Sequence, residues 1–165
     1  MKKTRVLLAL CTLVFFTGCS SVPLRREGAS WKAWSAGRKV EGGGEAVVET
    51  ARSQIGRPYR YGGTSPKRGF DCSGLVDWTY GRFGLRLPHS SRRLFRLGNA
   101  VSGGGLKQGD LVFFVISGRS ISHVGIYSGY GNFIHAPKRG ERVMESSLKD
   151  RYWKRRYRGA RRLLG

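Results

Sequence analysis

Phe70-Asp71-Cys72-Ser73-Gly74-Leu75-Val76-Asp77-Trp78 is the stretch around which the chain is organised. Ahead of it, Tyr61-Gly62-Gly63-Thr64-Ser65-Pro66 is turn chemistry, because Gly, Ser and Pro interrupt regular elements. Beyond it, Leu75, Val76, Trp78 and Phe83 recur at spacings that fit one face of a short helix ending near Phe83-Gly84. Asp71 is a good N-cap, which makes Cys72 the first residue of that helix. A helix N-terminus carries about half a positive charge and unpaired N–H groups. A thiolate there is stabilised, so the expected pKa of Cys72 is low and its sulfur a nucleophile near neutral pH. The N–H of Cys72 would point at a developing oxyanion. A cysteine can equally be a small buried apolar residue; the local context favours chemistry.

The N-terminus changes what the other cysteines mean. Met1-Lys2-Lys3-Thr4-Arg5 is basic, and Val6 to Phe16 is an apolar run of eleven residues. That length suits a signal peptide, read over residues 1–18, and is short for a membrane span. The run ends in Phe16-Thr17-Gly18-Cys19-Ser20-Ser21, which resembles a bacterial lipoprotein cleavage box with Phe16 where Leu is usual. The resemblance implies that Cys19 is lipidated and anchors the chain in a membrane. Ser20 lacks the acidic character that favours inner-membrane retention, so the expected location is the periplasmic face of the outer membrane. Cys11 falls in the removed segment, leaving Cys72 as the single free thiol and no internal disulfide. A solitary Cys with histidines elsewhere is a candidate nucleophile.

From Cys19 the chain is long enough for one domain and a tail. Leu24 to Gly44 is rich in Gly, Ser, Arg and Lys, with Trp31 and Trp34 as its only large apolar groups. Residues 19–44 therefore read as the lipidated Cys and a flexible tether, and residues 45–165 as the folded domain. Glu45 to Ile55 places Val47, Val48, Ala51 and Ile55 at helical spacing, with Gly56 and Pro58 closing the helix. Pro88-His89-Ser90-Ser91 opens another short helix through Leu94, Phe95 and Leu97, with the two serines read as its cap rather than as cleft residues. Gly103-Gly104-Gly105 reads as a flexible connector.

After Gln108-Gly109-Asp110 the period changes. Leu111 to Ile116 is a dense apolar run, read as a buried strand, and Asp110 as a turn carboxylate serving local N–H groups. Ser122 to Tyr127 alternates, with Val124 and Ile126 on one face and His123, Gly125 and Tyr127 on the other. Gly129-Tyr130-Gly131-Asn132 is a hairpin turn, Phe133-Ile134-His135-Ala136 the returning strand, and Arg142 to Ser146 an edge strand. Helices followed by an antiparallel sheet make the fold class α+β. His123 and His135 lie on the two arms of the hairpin, where opposite residues are about 5 Å apart and diagonal ones about 7–8 Å. One imidazole would take the proton of Cys72 and the other would hold the first in the right tautomer.

Asp71-Cys72-Ser73-Gly74, Gly109-Asp110-Leu111-Val112-Phe113-Phe114, Ser122-His123-Val124-Gly125-Ile126-Tyr127 and Phe133-Ile134-His135-Ala136 together resemble the NlpC/p-sixty family of bacterial cell-wall peptidases. Tyr59-Arg60-Tyr61-Gly62-Gly63 and the closing Tyr152-Trp153 to Arg162 match as well, so the resemblance runs from about Glu45 to Leu163. It implies a papain-like α+β fold, with N-terminal helices carrying the Cys packed on an antiparallel sheet carrying the His residues. It implies Cys72 as nucleophile, His123 as base, His135 as third polar member, and Tyr59 beside the oxyanion site, with Ser73 next to the nucleophile counted in that region. His89 stands where relatives commonly have Arg. Neither a metal nor another cofactor is implied.

Charge is the other strong feature: the chain carries +21, which falls to +18 once Lys2, Lys3 and Arg5 are removed. Between Lys149 and Arg162 there are eight Lys or Arg against one Asp, interleaved with Tyr152, Trp153 and Tyr157. Basic plus aromatic is a nucleic-acid signature. An exported, lipid-anchored chain does not meet nucleic acid, so the expected partners are peptidoglycan, the membrane and anionic envelope polymers drawn by long-range attraction. A monomer is expected. The leading function is a lipid-anchored cysteine endopeptidase that cuts peptidoglycan stem peptides or crosslinks. A Cys–His acyltransferase or amidase of the same fold family, and a non-catalytic wall-binding lipoprotein, stand as alternatives. The absence of C-x-x-C or H-x-x-x-H spacing makes a zinc module weak.

Overall fold

A computed structural model of the chain describes residues 43–102 and 104–164. The expected signal peptide, Cys19 and nearly all of the expected tether lie outside the described residues. The order is helix α1 (Gly43–Arg52), strands β1 (Thr64–Ser65) and β2 (Gly69–Phe70), α2 (Cys72–Gly81) and α3 (Ser91–Leu94). Strands β3 (Asn99–Val101), β4 (Leu111–Phe114), β5 (His123–Gly129), β6 (Asn132–His135) and β7 (Met144–Ser147) follow, then α4 (Arg151–Arg156) and β8 (Tyr157–Arg162). The fold is α+β, as the change of period after Asp110 predicts.

The six-stranded sheet has the order β3-β8-β4-β5-β6-β7, antiparallel throughout. The last strand is thus an interior one, laid between β3 and β4. Neither β3 nor β8 is legible in the sequence, because Tyr157-Arg158-Gly159-Ala160-Arg161-Arg162 lacks apolar alternation. It earns its place through pairing: Val112 faces Ala160 in the ladder, and Arg162 reaches the buried Asp110 through Nε and Nη2 at 2.8 and 2.7 Å. Asp110 also accepts from the Lys107 N–H at 2.8 Å, the local role expected for it.

The two faces of the sheet bury different clusters. On one, Leu111, Phe113, Val124, Ile126 and Ile134 pack with Val47, Val48 and Ala51 of α1 and Leu75, Val76 and Tyr80 of α2. Tyr80 also donates its buried hydroxyl to the carbonyl of Gly109, tying α2 to the turn ahead of β4. On the other face Val112, Phe114, Phe133 and Ala160 pack with Trp153 and Tyr157. Each fully buried aromatic or aliphatic side chain contributes about 1.5–3 kcal/mol, so both clusters matter to stability.

Several boundaries differ from the sequence reading. Helix α1 begins at Gly43, two residues before position 45, and ends at Arg52, which leaves Ile55 44% exposed instead of on the apolar face. Gly44 belongs to the fold because a Cβ there would sit 1.8 Å from the carbonyl oxygen of Gln108. Helix α2 stops at Gly81, before Phe83-Gly84. The buried strand is Leu111–Phe114 and the edge strand Met144–Ser147. The 61–66 turn contains β1, which pairs with β2. The β5–β6 hairpin closes with Tyr130 and Gly131 both at positive φ (54° and 85°), the geometry of a two-residue turn matched to strand twist.

Candidate active site

Cys72 opens α2. Asp71 has extended backbone (φ −93°, ψ 177°) and its Oδ1 accepts from the Gly74 N–H at 2.7 Å, the N-cap read from the sequence. The same carboxylate takes the Ser73 hydroxyl at 3.1 Å, the Gly62 N–H at 2.8 Å and His89 Nε2 at 2.7 Å. Four donors on one carboxylate fix the first turn of α2 against two loops. Gly74 permits the close approach, since a Cβ there would lie 1.9 Å from the carbonyl oxygen of Gly63. The Asp-Cys-Ser-Gly pattern is thus a cap, a thiol, a hydroxyl spent on the cap, and a gap for the neighbouring loop.

The low thiol pKa expected from the helix N-terminus is not what the structure gives. Burial, and then the Asp71 carboxylate beside it, push the Cys72 thiol up to about 11, against favourable N–H contacts from Val124, Ser73 and Cys72 itself. Desolvation and a fixed anion outweigh half a unit of dipole charge. The sulfur therefore rests as a thiol. The Val124 N–H contact puts it at the start of β5, next to His123 in the chain.

His123 and His135 do meet. In the β5–β6 ladder Ile126 faces Ile134 and Tyr127 faces Phe133, a register that puts His135 across from Gly125. His123 shares the Gly125 face two residues away, so the pair is diagonal, and His123 Nε2 lies 2.9 Å from His135 Nδ1. Gly125 must be small: a Cβ there would strike the Phe133 ring at 2.5 Å, and that ring lies 4.8 Å from the ring of His135. His135 Nε2 continues to Ser146 Oγ at 3.0 Å. Burial lowers His123 to about 4 despite a raising influence of Asp71, and burial with neighbouring His123 lowers His135 further. Both imidazoles rest neutral. For His123 to keep a bare nitrogen, its Nε2–H donates to His135 Nδ1 and the His135 Nε2–H donates to Ser146, leaving His123 Nδ1 as the acceptor.

A cleft of about 520 Å³ opens onto the thiol, lined among others by Tyr59, Cys72, Ser73, His89, Ser91 and Arg92. Tyr59 is held there by its N–H on the Glu141 carbonyl (2.9 Å) and by a bridge to Phe70; burial first, then Cys72, raise its pKa. Ser73 lies in the cleft wall with its hydroxyl on Asp71, so only its N–H is turned to the sulfur. Ser90 stands at the N-cap position of α3 but makes no side-chain capping bond, and Ser90 and Ser91 both line the cleft. The preference for a capping role is corrected accordingly: a helix of four residues is held by the Leu94 N–H on the Ser90 carbonyl instead. Asp77 accepts the Leu87 N–H at 3.1 Å, a structural role.

Three members of this site escape sequence reasoning. Ser146 sits in a polar edge strand with no distinguishing neighbour, His89 is separated from Asp71 by eighteen positions, and Trp153, whose ring stacks on that of His123 at 5.5 Å, is one aromatic in a basic run. Only pairing and packing bring them in.

The family model described as NlpC/P60 matches residues 56–162. The chain is 42% identical over 130 residues to the murein DD-endopeptidase MepH of Escherichia coli K12, covering 76% of this chain and 48% of that protein. It is 47% identical over 107 residues to the protein named murein DD-endopeptidase MepS/murein LD-carboxypeptidase of the same organism, covering 64% and 55%. Against the bifunctional muramidase/DL-endopeptidase CwlT of Bacillus subtilis 168 the identity is 38% over 112 residues, covering 67% and 33%. The chain thus spans about half the length of these relatives, or less. Among solved structures, an NlpC/P60 family protein from Bacillus cereus ATCC 10987 superposes with a TM-score of 0.70 at 36% identity, covering 74% of this chain and 40% of that one. The NlpC/p60 domain of the peptidoglycan hydrolase SagA gives 0.64 at 34% identity, covering 72% and 97%. Motifs, fold and similarity agree, and the chain belongs to the NlpC/P60 family.

Proposed function

We propose that the chain is a cysteine endopeptidase of peptidoglycan, with Cys72 as nucleophile, His123 as base and His135 as the group that orients it. The observation that carries this reading is the 2.9 Å bond from His123 Nε2 to His135 Nδ1, together with a thiol at the start of α2 that the backbone of Val124, the residue after His123, contacts. The family and the murein endopeptidases among the relatives supply the substrate class. His123 Nδ1 takes the thiol proton as Sγ attacks the peptide carbonyl carbon. The developing oxyanion is met by N–H groups at the start of α2, with Tyr59 beside it. His123 returns the proton to the leaving amine, a thioester remains, and water activated by the same imidazole hydrolyses it.

Transfer to another acceptor in place of water uses the same groups, so the acyltransferase alternative differs only in the second step. The cut lies within a stem peptide or across a crosslink, and the single-domain lipoprotein resemblance favours the crosslink. Cys19 anchors the chain by lipid at the periplasmic face of the outer membrane, and the basic residues of 149–162 hold anionic envelope polymers. Digestion of purified sacculi with the full chain, followed by mass spectrometry of the muropeptides, tests the reaction. Loss of crosslinked dimers in favour of monomers is the expected result; muropeptides left intact by the native chain, or cut as readily by Cys72→Ala, would overturn it.

A further inference from the structure

The base in the proposed reaction has an uncharged relay behind it. His123 leans on His135, and His135 leans on the Ser146 hydroxyl, at 2.9 and 3.0 Å. Many nucleophile–base pairs rest instead on a carboxylate that stabilises the imidazolium once the proton has moved. Here His123 is 2% exposed, and burial opposes the charge it must acquire. The charged and titratable groups beside it are Asp71 from the start of α2, which favours the imidazolium, and His135 from β6, whose own protonation His123 opposes.

Two aromatic rings meet the imidazole: Phe114 is tilted at 46° with centroids 6.1 Å apart, and of the two only Trp153 stacks on it. Trp153 of α4 lies nearly parallel to the His123 imidazole, with centroids 5.5 Å apart and planes 24° apart. The same indole meets His135 edge-on at 4.8 Å and 81°. Its own placement is over-determined: Phe114, Phe133 and Tyr152 contact it at 4.8, 5.1 and 4.9 Å, and Asp150 caps α4 through the Tyr152 N–H at 2.7 Å. The face of an indole carries the negative lobe of its quadrupole, and Trp is the strongest of the aromatic side chains at attracting a cation set over it. A desolvated imidazolium stacked on that face gains more than one in water would.

We propose that Trp153 is a positioning residue for the histidine pair: its indole face holds His123 in line and stabilises the imidazolium that forms as Cys72 gives up its proton. The proposal rests on His123 being the base. A Trp that served only as packing for Val112, Phe114, Phe133 and Ala160 would depend on shape alone and not on the electron density of its ring.

That difference sets the experiment. Tryptophans carrying one, two, three and four fluorines are incorporated at position 153 of the full chain, which drains the ring face while nearly preserving its shape. The expected result is a stepwise fall in kcat on muropeptide, to roughly a tenth across the series, with KM and the thermal midpoint unchanged. The His123 imidazole resonance, followed by NMR against pH in the same series, should titrate at progressively lower pH, because each fluorine removes support for the charged form. Trp153→Phe should fall between the native and the most fluorinated chain, and Trp153→Leu below both. A kcat and a His123 titration that stay flat along the series, or a His123 titration that moves upward, overturn the proposal. If the unsubstituted chain cuts nothing, the function reading fails by itself, and the NMR series still decides the role of Trp153.

Discussion

The start of α2 and the β5–β6 hairpin hold the two halves of one site by opposite means. Cys72 is fixed by neighbours in sequence: Asp71 caps, Ser73 and Gly74 donate to that cap, and Gly74 leaves room for the loop at Gly63. His123 and His135 are fixed by register across a turn, by Ser146 on a third strand, and by Trp153 from a helix thirty positions beyond His123. The comparison teaches that the thiol is placed by local chemistry but not activated by it. The Asp71 that places Cys72 also helps to hold its thiol up at about 11. On the proposed mechanism, activation comes from the hairpin.

The largest effects should come from removing the two groups proposed to react. Cys72→Ala and Cys72→Ser are expected to lower turnover of sacculi by more than about a thousandfold with the thermal midpoint little changed. His123→Ala should be as severe, and the double variant no worse than either, because the pair acts as one unit. A double variant far below both singles would separate the halves that the site is said to join. Within the hairpin the expected losses shrink outward, with His135→Ala costing about a hundredfold and Ser146→Ala under about tenfold, on the scale of one hydrogen bond. Steady-state kinetics on a purified crosslinked muropeptide would reveal that order or its inversion.

The hairpin should also carry the acid sensitivity of the fold. His123 is held neutral in the folded chain, at about 4 against 6.5 for an ordinary imidazole. A lowered pKa means that the unfolded chain binds more protons between those values, so stability is complete above about 6.5 and is lost as pH falls towards 4. The shift corresponds to about 3 kcal/mol. Denaturant midpoints across that window should fall for the native chain and fall about half as steeply for His123→Gln, since His135, lowered further, still gains a proton on unfolding; equal slopes would mean that His123 is not a source.

On the cysteine side, Asp71→Asn keeps a capping side chain but removes the charge. Alkylation of Cys72 measured against pH is expected to report a thiol titrating below that of the native chain. A thiol that stays put would assign the whole rise to burial. The smallest effect on chemistry should come from the basic side chains of α4 and of Arg158 in β8. Lys154, Arg155 and Arg158 are exposed, and Arg156 is half-buried with its guanidinium over the Tyr152 ring at 3.7 Å. Replacing all four by Gln should weaken pull-down on intact sacculi, most visibly at low salt where the Debye length is long, and leave turnover of a soluble muropeptide nearly unchanged. Binding insensitive both to salt and to these changes would make the stretch a solvated face.

By itself the sequence determined the elements whose signal is local. The cap at Asp71, the helix start at Cys72, the apolar run at Leu111, the alternation that sets His123 opposite in face to Val124, and the turn at Tyr130-Gly131 all follow from residues within a few positions of one another. The four motifs in order were enough to point to the family and to an α+β fold. Tertiary structure alone decided the rest. The insertion of β8 between β3 and β4 depends on Arg162 finding Asp110, and a basic strand has no apolar period to announce it. The approach of His89 to Asp71, of Ser146 to His135 and of Trp153 to His123 depends on contacts between residues far apart in the chain. The state of the thiol was settled in the same way, because a helix N-terminus is visible in sequence but the depth at which a sulfur is buried, and the anion it is buried beside, are not.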